Sequence, residues 1–131
     1  MKKLILFFVL LTSIFVNVQN SWGQTNLPCL TMASQVEVDR CIAFQYMKIY
    51  HEMDTVYHHL VRQLEDTLYQ DALRTAQDAW RVFVTNHCEC EAHVHRDGSM
   101  ANLMRYKCLM TATESRIESL ELLLQNNELE R

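Results

Sequence analysis

Glycine and proline are almost missing from this chain: Gly23, Gly98 and Pro28 are all it has in 131 residues. A phosphate-cradling loop or a dinucleotide fingerprint needs several glycines close together, so both are excluded. Period-two alternation of apolar and polar residues is absent over any useful length, which argues against a sheet. No internal repeat occurs. Basic charge is also scarce, with 12 Lys and Arg against 16 Asp and Glu. Such a chain is a poor nucleic-acid binder, because phosphate contacts need a positive field. Long apolar runs are lacking too. The stretch from Leu4 to Val16 is uncharged and mostly apolar, but it falls short of the roughly 20 residues that a membrane-spanning helix needs.

That short run follows Lys2 and Lys3 and precedes small and polar residues, the pattern of a secretory signal peptide. Ser21 and Gly23 satisfy the small-residue rule, so residues 1–23 are expected to be a leader and residues 24–131 the mature domain. Its size suits one domain and not two. Lipidation is not expected, because Pro28 precedes Cys29 where an acylation signal places a small residue. Loss of Lys2 and Lys3 leaves 10 basic residues against 16 acids, so the net charge moves from −4 to −6. The expected product is an exported domain, periplasmic or secreted, with no membrane span after cleavage and a field that draws in a basic partner.

What is present is helical periodicity. Ile42, Tyr46, Ile49, Met53, Val56, Leu60 and Leu64 recur in steps of three and four, the buried stripe of a long first helix. Ser34 is placed to cap it, with Glu37 completing a capping box. The pattern falters at Glu65 to Thr67, where Asp66 or Thr67 can cap a second helix. That helix carries Leu73, Ala76, Ala79, Trp80 and Phe83 and is expected to end near His87. Periodicity disappears from Glu89 to Gly98, and Asp97-Gly98-Ser99 signals a turn. A third helix follows with Met100, Met104, Cys108, Ile117, Leu120 and Leu124, and 126–131 is expected to fray. The fold class is therefore all-α, a three-helix up-down-up bundle with a long first helix.

This topology brings Cys41, Cys88, Cys90 and Cys108 to one end of the bundle, with Cys29 just before it. In an oxidising compartment such cysteines pair. Two disulfides among five cysteines leave fifteen arrangements open. The expected ones are Cys29–Cys41 and Cys88–Cys108, with Cys90 left over in a monomer or a Cys90-linked dimer.

The residues around these cysteines resemble a known family. Ser34-Gln35-Val36-Glu37-Val38-Asp39-Arg40-Cys41 is similar to its Thr-Gln-x-Glu-Met-Asn-x-Cys opening, and Met53-Asp54-Thr55-Val56-Tyr57 to its Leu-Asn-x-x-Tyr. Ala76-Gln77-Asp78-Ala79-Trp80 stands intact as its Ala-Gln-x-Ala-Trp element, with Cys88 eight residues past the tryptophan. Gly98-Ser99, Cys108, Thr113, Arg116 and Leu120 complete the pattern. In these elements the chain resembles the lysozyme inhibitor LprI-like N-terminal domain family from Cys29 to Leu120. It departs at Val84-Thr85, where the family carries Arg-Asp, and at Cys90, an extra cysteine. The resemblance implies an exported protein-binding domain that inhibits lysozyme-type muramidases, with lysozyme or another basic protein as partner. Lysozymes of the common animal type are basic and hold catalytic carboxylates in a cleft. A loop from Glu89 to Ser99, pinned if Cys88 and Cys108 pair, is the candidate contact, through Glu89, Glu91, Asp97 and Ser99. A constrained loop loses less entropy on binding.

The alternative is a metal-binding or structural cell-envelope helical module. His87, Cys90, His93 and His95 are soft or borderline ligands within nine residues, types that hold zinc or copper. Cys88 is committed elsewhere, and adventitious capture by His93 and His95 is the plainer reading. Gln77 with Trp80 has the look of a stacking pair, yet core packing fits its spacing better. Tyr46, Tyr50 and Tyr57 are expected to pack, and His51, His58 and His59 to lie on the surface. No nucleophile sits beside a base on a strained turn, and Glu118 and Glu121 fall at solvent-facing positions, so no catalytic residue and no cofactor are expected.

Overall fold

The computed structural model describes residues 28–96 and 98–129; the expected leader, residues 1–23, lies outside them. A 3-10 turn, Pro28–Thr31, precedes three helices: α1 Gln35–Gln63, α2 Thr67–His93 and α3 Met100–Leu129. No strand occurs among the described residues. Each helix is roughly 40–45 Å long at 1.5 Å per residue.

The starts of α1 and α2 are fixed by their own side chains. Ser34 Oγ accepts a hydrogen bond from the Glu37 N–H at 3.3 Å, while the Ser34 N–H donates to the Glu37 carboxylate at 3.1 Å. This reciprocal box satisfies donors that have no partner inside the first turn. Asp66 Oδ1 accepts from the Leu68 N–H at 2.7 Å and opens α2. Helix α3 runs on to Leu129, beyond the expected end, and Asn127 Nδ2 there donates to the Gln63 carbonyl at 3.5 Å.

Contacts between helices set the direction of each. Gln35 meets the Ser99 carbonyl and Asp39 meets Asn102 at the starts of α1 and α3, while Gln63 meets Asn127 near their ends. Those two helices are therefore parallel. Helix α2 runs against both, because Gln77 contacts Met53 and Arg116, and Glu89 contacts Arg105. This is the up-down-up arrangement read from the sequence. Helix α3 packs its backbone against both neighbours, whereas α1 and α2 meet mainly through side chains.

The core has two parts. Met53, Tyr57, Leu60, Leu73, Ile117 and Leu120 form the larger cluster, with Trp80 half-buried against it. Cys29, Ile42 and Met110 form the second, at the end where the chain enters. Cys29 is bonded to Cys41 and Cys88 to Cys108, each with Cα atoms 5.5 Å apart, and Cys90 is free and exposed. Closing loops of 12 and 20 residues restricts the unfolded chain by about 3 kcal/mol for each bond.

Helix α2 differs from the expectation in two ways. It continues to His93 rather than ending near His87, because Val84, Cys88 and Ala92 extend its buried face in steps of four. The chain leaves the helix only at Val94, through turns in which the His95 N–H donates to Ala92 and the Gly98 N–H to His95. Its inward face is also rotated. Leu73, Gln77, Val84, Cys88 and Ala92 are buried, whereas Ala76, Ala79 and Phe83 are exposed, with Phe83 62 % accessible. Phe83 instead stacks on His87 with ring centroids 5.3 Å apart. Met100, expected on the buried stripe of α3, is 47 % accessible.

At the centre lies a polar link. Gln77 is 0 % accessible; its Nε2 donates to Met53 Sδ of α1 at 2.9 Å, and its Oε1 accepts from Arg116 Nε of α3 at 2.9 Å. Thr113, also fully buried, donates to the Leu109 carbonyl one turn earlier. Burial lowers the Arg116 pKa from its ordinary value.

Replacing Gln77 with leucine keeps the volume and removes the acceptor facing the Arg116 guanidinium. It should destabilise the fold by about 1–3 kcal/mol, read as a fall of roughly 4–8 °C in melting temperature per kcal/mol. Alkylation of the folded, unreduced protein should label one thiol, at Cys90, with full labelling only after reduction.

Candidate partner-binding site

The end of the bundle that carries both disulfides is joined by a continuous polar chain. Gln35 Nε2 donates to Asp39 at 2.8 Å, and Asn102 Nδ2 donates to the other Asp39 oxygen at 2.9 Å. Arg105 Nη1 donates to Asn102 at 3.0 Å, and Arg105 Nε lies 2.7 Å from Glu89. Residues of α1, α3 and α2 are thus connected in turn. With the Cys29–Cys41 and Cys88–Cys108 bonds beside it, this is the most constrained part of the domain.

The candidate contact residues do not form the open loop expected of them. Glu89 and Glu91 lie on the last turns of α2, and both are paired: Glu89 with Arg105, and Glu91 with His87 at 3.1 Å. Ser99 sits at the exit of the short connection, where its carbonyl accepts from Gln35 at 3.3 Å. Asp97 lies outside the described residues. The expected loop of Glu89 to Ser99 contracts to the connection after His93 because α2 is longer than its apolar residues announce.

The metal set is likewise not gathered. Helix continuation places Cys90 and His93 on an exposed helical surface, where Arg96 Nη1 and His93 Nε2 are 2.7 Å apart. Among the described residues, the ligand atoms brought within 4.8 Å of one another are those of His87, Glu91 and Cys108. Cys108 is bonded to Cys88, and a disulfide sulfur is not the thiolate that metals take. His95 takes no part in that group.

Two further surfaces remain, and the first includes Glu118 and Glu121, exposed as their spacing in the sequence requires. Glu114, Glu118 and Glu121 are exposed on the outer side of α3 at steps of four and three, and none forms an ion pair among the described residues. The other is a groove between α1 and α2, where Tyr46, Met47, Tyr50 and Trp80 surround Arg81. Arg81 is held by Asp54 at 3.4 Å and Asp78 at 3.2 Å. Its pKa is nonetheless shifted first by burial, which lowers it. Tyr50, by charge and hydrogen bonding, and the two aspartates outweigh that effect and raise it. Burial, with Tyr50 and Tyr106 adding to it, pushes the Tyr46 hydroxyl up. The sequence signal for the groove was present in the i, i+4 spacing of Tyr46 and Tyr50, but nothing in it showed that α1 and α2 stand apart there.

Among the described residues no helix is long and apolar enough to cross a membrane. Comparison with the curated proteins and with the solved structures found no match. The sequence model of the family described as lysozyme inhibitor LprI matches residues 29–120. That span begins at the first disulfide cysteine, contains both disulfides and the Gln77–Arg116 bond, and ends at the buried Leu120. The chain belongs to the lysozyme inhibitor LprI family.

Proposed function

We propose that this protein is an exported domain that binds and inhibits a lysozyme-type muramidase, acting in the periplasm or outside the cell and catalysing nothing itself. The observation that carries this reading is the family match over residues 29–120. Charge supports it, because a basic enzyme approaches an acidic domain faster than diffusion alone allows, to an extent that salt reduces. Two cross-links at one end support a rigid inhibitor, since a surface ordered in advance loses little entropy on docking.

The acids available to such a partner are those not already neutralised. Glu89 faces the Arg105 guanidinium, so its charge is spent within the domain, and Glu91 is engaged with His87. Glu114, Glu118 and Glu121 are unpaired among the described residues, and they supply the steering field. Contact at the constrained end falls to the connection around Ser99 and to the exposed surface of the last turns of α2.

A turbidity assay of lysozyme-driven lysis, run across salt concentrations, tests this. Inhibition should approach one inhibitor per enzyme at low salt and weaken as salt rises. Changing Glu114, Glu118 and Glu121 together to glutamine should slow association about tenfold or more at low salt. Replacing the 94–99 connection with a serine-rich one of equal length should instead accelerate dissociation. Unchanged lysis at large molar excess for every lysozyme type, with no complex by light scattering, would remove the reading.

A further inference from the structure

Beside the Cys88–Cys108 bond, α2 and α3 leave an opening of about 320 Å³, lined by His87 and Glu91 of α2 and by Met104, Lys107 and Cys108 of α3. His87 Nε2 lies 3.1 Å from the Glu91 carboxylate, because residues four apart share one helix face. Phe83 stacks on the imidazole at 5.3 Å and helps to orient it. A ligand atom of His87, one of Glu91 and the sulfur of Cys108 all lie within 4.8 Å of one another. A tetrahedral zinc, with bonds of about 2.0–2.3 Å, holds its ligand atoms roughly 3.3–3.8 Å apart. No pair in the group therefore has to close by more than about 1.5 Å to meet that spacing. Among the described residues no comparable group surrounds Cys29–Cys41.

What withholds the group from a metal is the disulfide, since metals take the thiolate. Cys108 is half-buried and lines the opening, whereas Cys88 is fully buried, so thiol–disulfide exchange enters at Cys108. One thiolate of an external dithiol bonds the Cys108 sulfur and expels Cys88 as a thiolate. The second thiolate of the dithiol then closes its own disulfide and frees Cys108. Two electrons have passed to the protein cysteines, and the dithiol is oxidised. Zinc takes both sulfurs as thiolates, and their protons go to solvent. With the bond cut, the two sulfurs part from 2.05 Å to the spacing of zinc ligands, and Cys88 supplies the fourth. Two thiolates and the Glu91 carboxylate exceed the charge of zinc by one, which Lys107 at the same opening offsets.

We propose that reduction of Cys88–Cys108 by a dithiol turns this junction into a zinc site with Cys88, Cys108, His87 and Glu91 as ligands. Helices α2 and α3 are then joined there by a disulfide or by a metal ion, never by both. The proposal stands independently of muramidase inhibition, since metal uptake alone decides it.

Zinc titration against a chelating dye, with the tag-free protein before and after reduction by a thiol-free phosphine, tests it. The disulfide-bonded protein should leave the zinc on the dye, and the reduced protein should take up one zinc per chain. Restoring the disulfide with an oxidant should release that zinc. His87→Ala and Glu91→Gln, both at exposed positions, should each weaken zinc binding at least about tenfold, while Cys90→Ser leaves it unchanged. Full affinity in both the His87 and Glu91 variants would overturn the proposal, because the thiols alone would then hold the metal. So would zinc retained after the disulfide re-forms, or a reduced chain that loses its helix and does not regain it with zinc. Reduction also opens Cys29–Cys41, so a second variant frees Cys108 without it, by combining Cys88→Ala with Cys90→Ser. With cobalt as the probe, this variant should show a thiolate-to-cobalt absorption band that a further His87→Ala removes. Absence of that band in the folded variant, or its persistence without His87, would equally sink the assignment.

Discussion

The side-chain amide of Gln77 is the constraint on which the rest of this bundle depends. Helices α1 and α2 meet mainly through side chains, so what fixes their rotation is a small number of directional contacts. Gln77 supplies two at once, to Met53 on α1 and to Arg116 on α3. Apolar packing alone tolerates rotation of a helix by a fraction of a turn. A buried amide does not, because it has one arrangement in which both its donor and its acceptor are used. Rotating α2 to bury Ala76, Ala79 and Phe83 would strand Gln77, and the observed helix exposes those three instead.

This explains what could and could not be read in advance. Ser34 with Glu37, Asp66, and the stripe from Ile42 to Leu64 each follow a local rule, and the helices they define start and run as that rule requires. The three-helix topology followed from those. The face of α2 did not, because its centre is a glutamine and its last buried positions are Cys88 and Ala92, residues that carry little hydrophobic signal. A polar residue inside an apolar stripe reads as surface until its partners are known, and Met53 and Arg116 are 24 and 39 residues away in sequence. The same blindness to Cys88 and Ala92 turned the end of α2 into an apparent loop and so opened a candidate site that the helix closes.

The family pattern takes on physical sense in this geometry. Gln77 and Trp80 of the Ala-Gln-x-Ala-Trp element meet the core and α3; Arg116 is the donor to that glutamine, and Thr113 lies fully buried a turn before it. Elements scattered along the sequence converge on one junction. The departure at Val84-Thr85 is absorbed without loss of packing, since Val84 is buried and Thr85 bonds the Arg81 carbonyl at 2.8 Å. These matching positions describe how the bundle is held rather than where it touches a partner, which is why a family can be legible while a contact surface is not.

Both covalent links lie at the same end. The molecule is built like a clothes-peg, sprung at one end and free at the other, where α1 and α3 are joined by the 3.5 Å bond between Asn127 and the Gln63 carbonyl. Local opening is cheapest where cross-links and buried contacts are fewest. The hinge end keeps its shape through its cystines, while the tips near Leu64 and Asn127 are held without a cross-link, by that one bond and by the packing of Leu64 and Leu124 on the larger cluster.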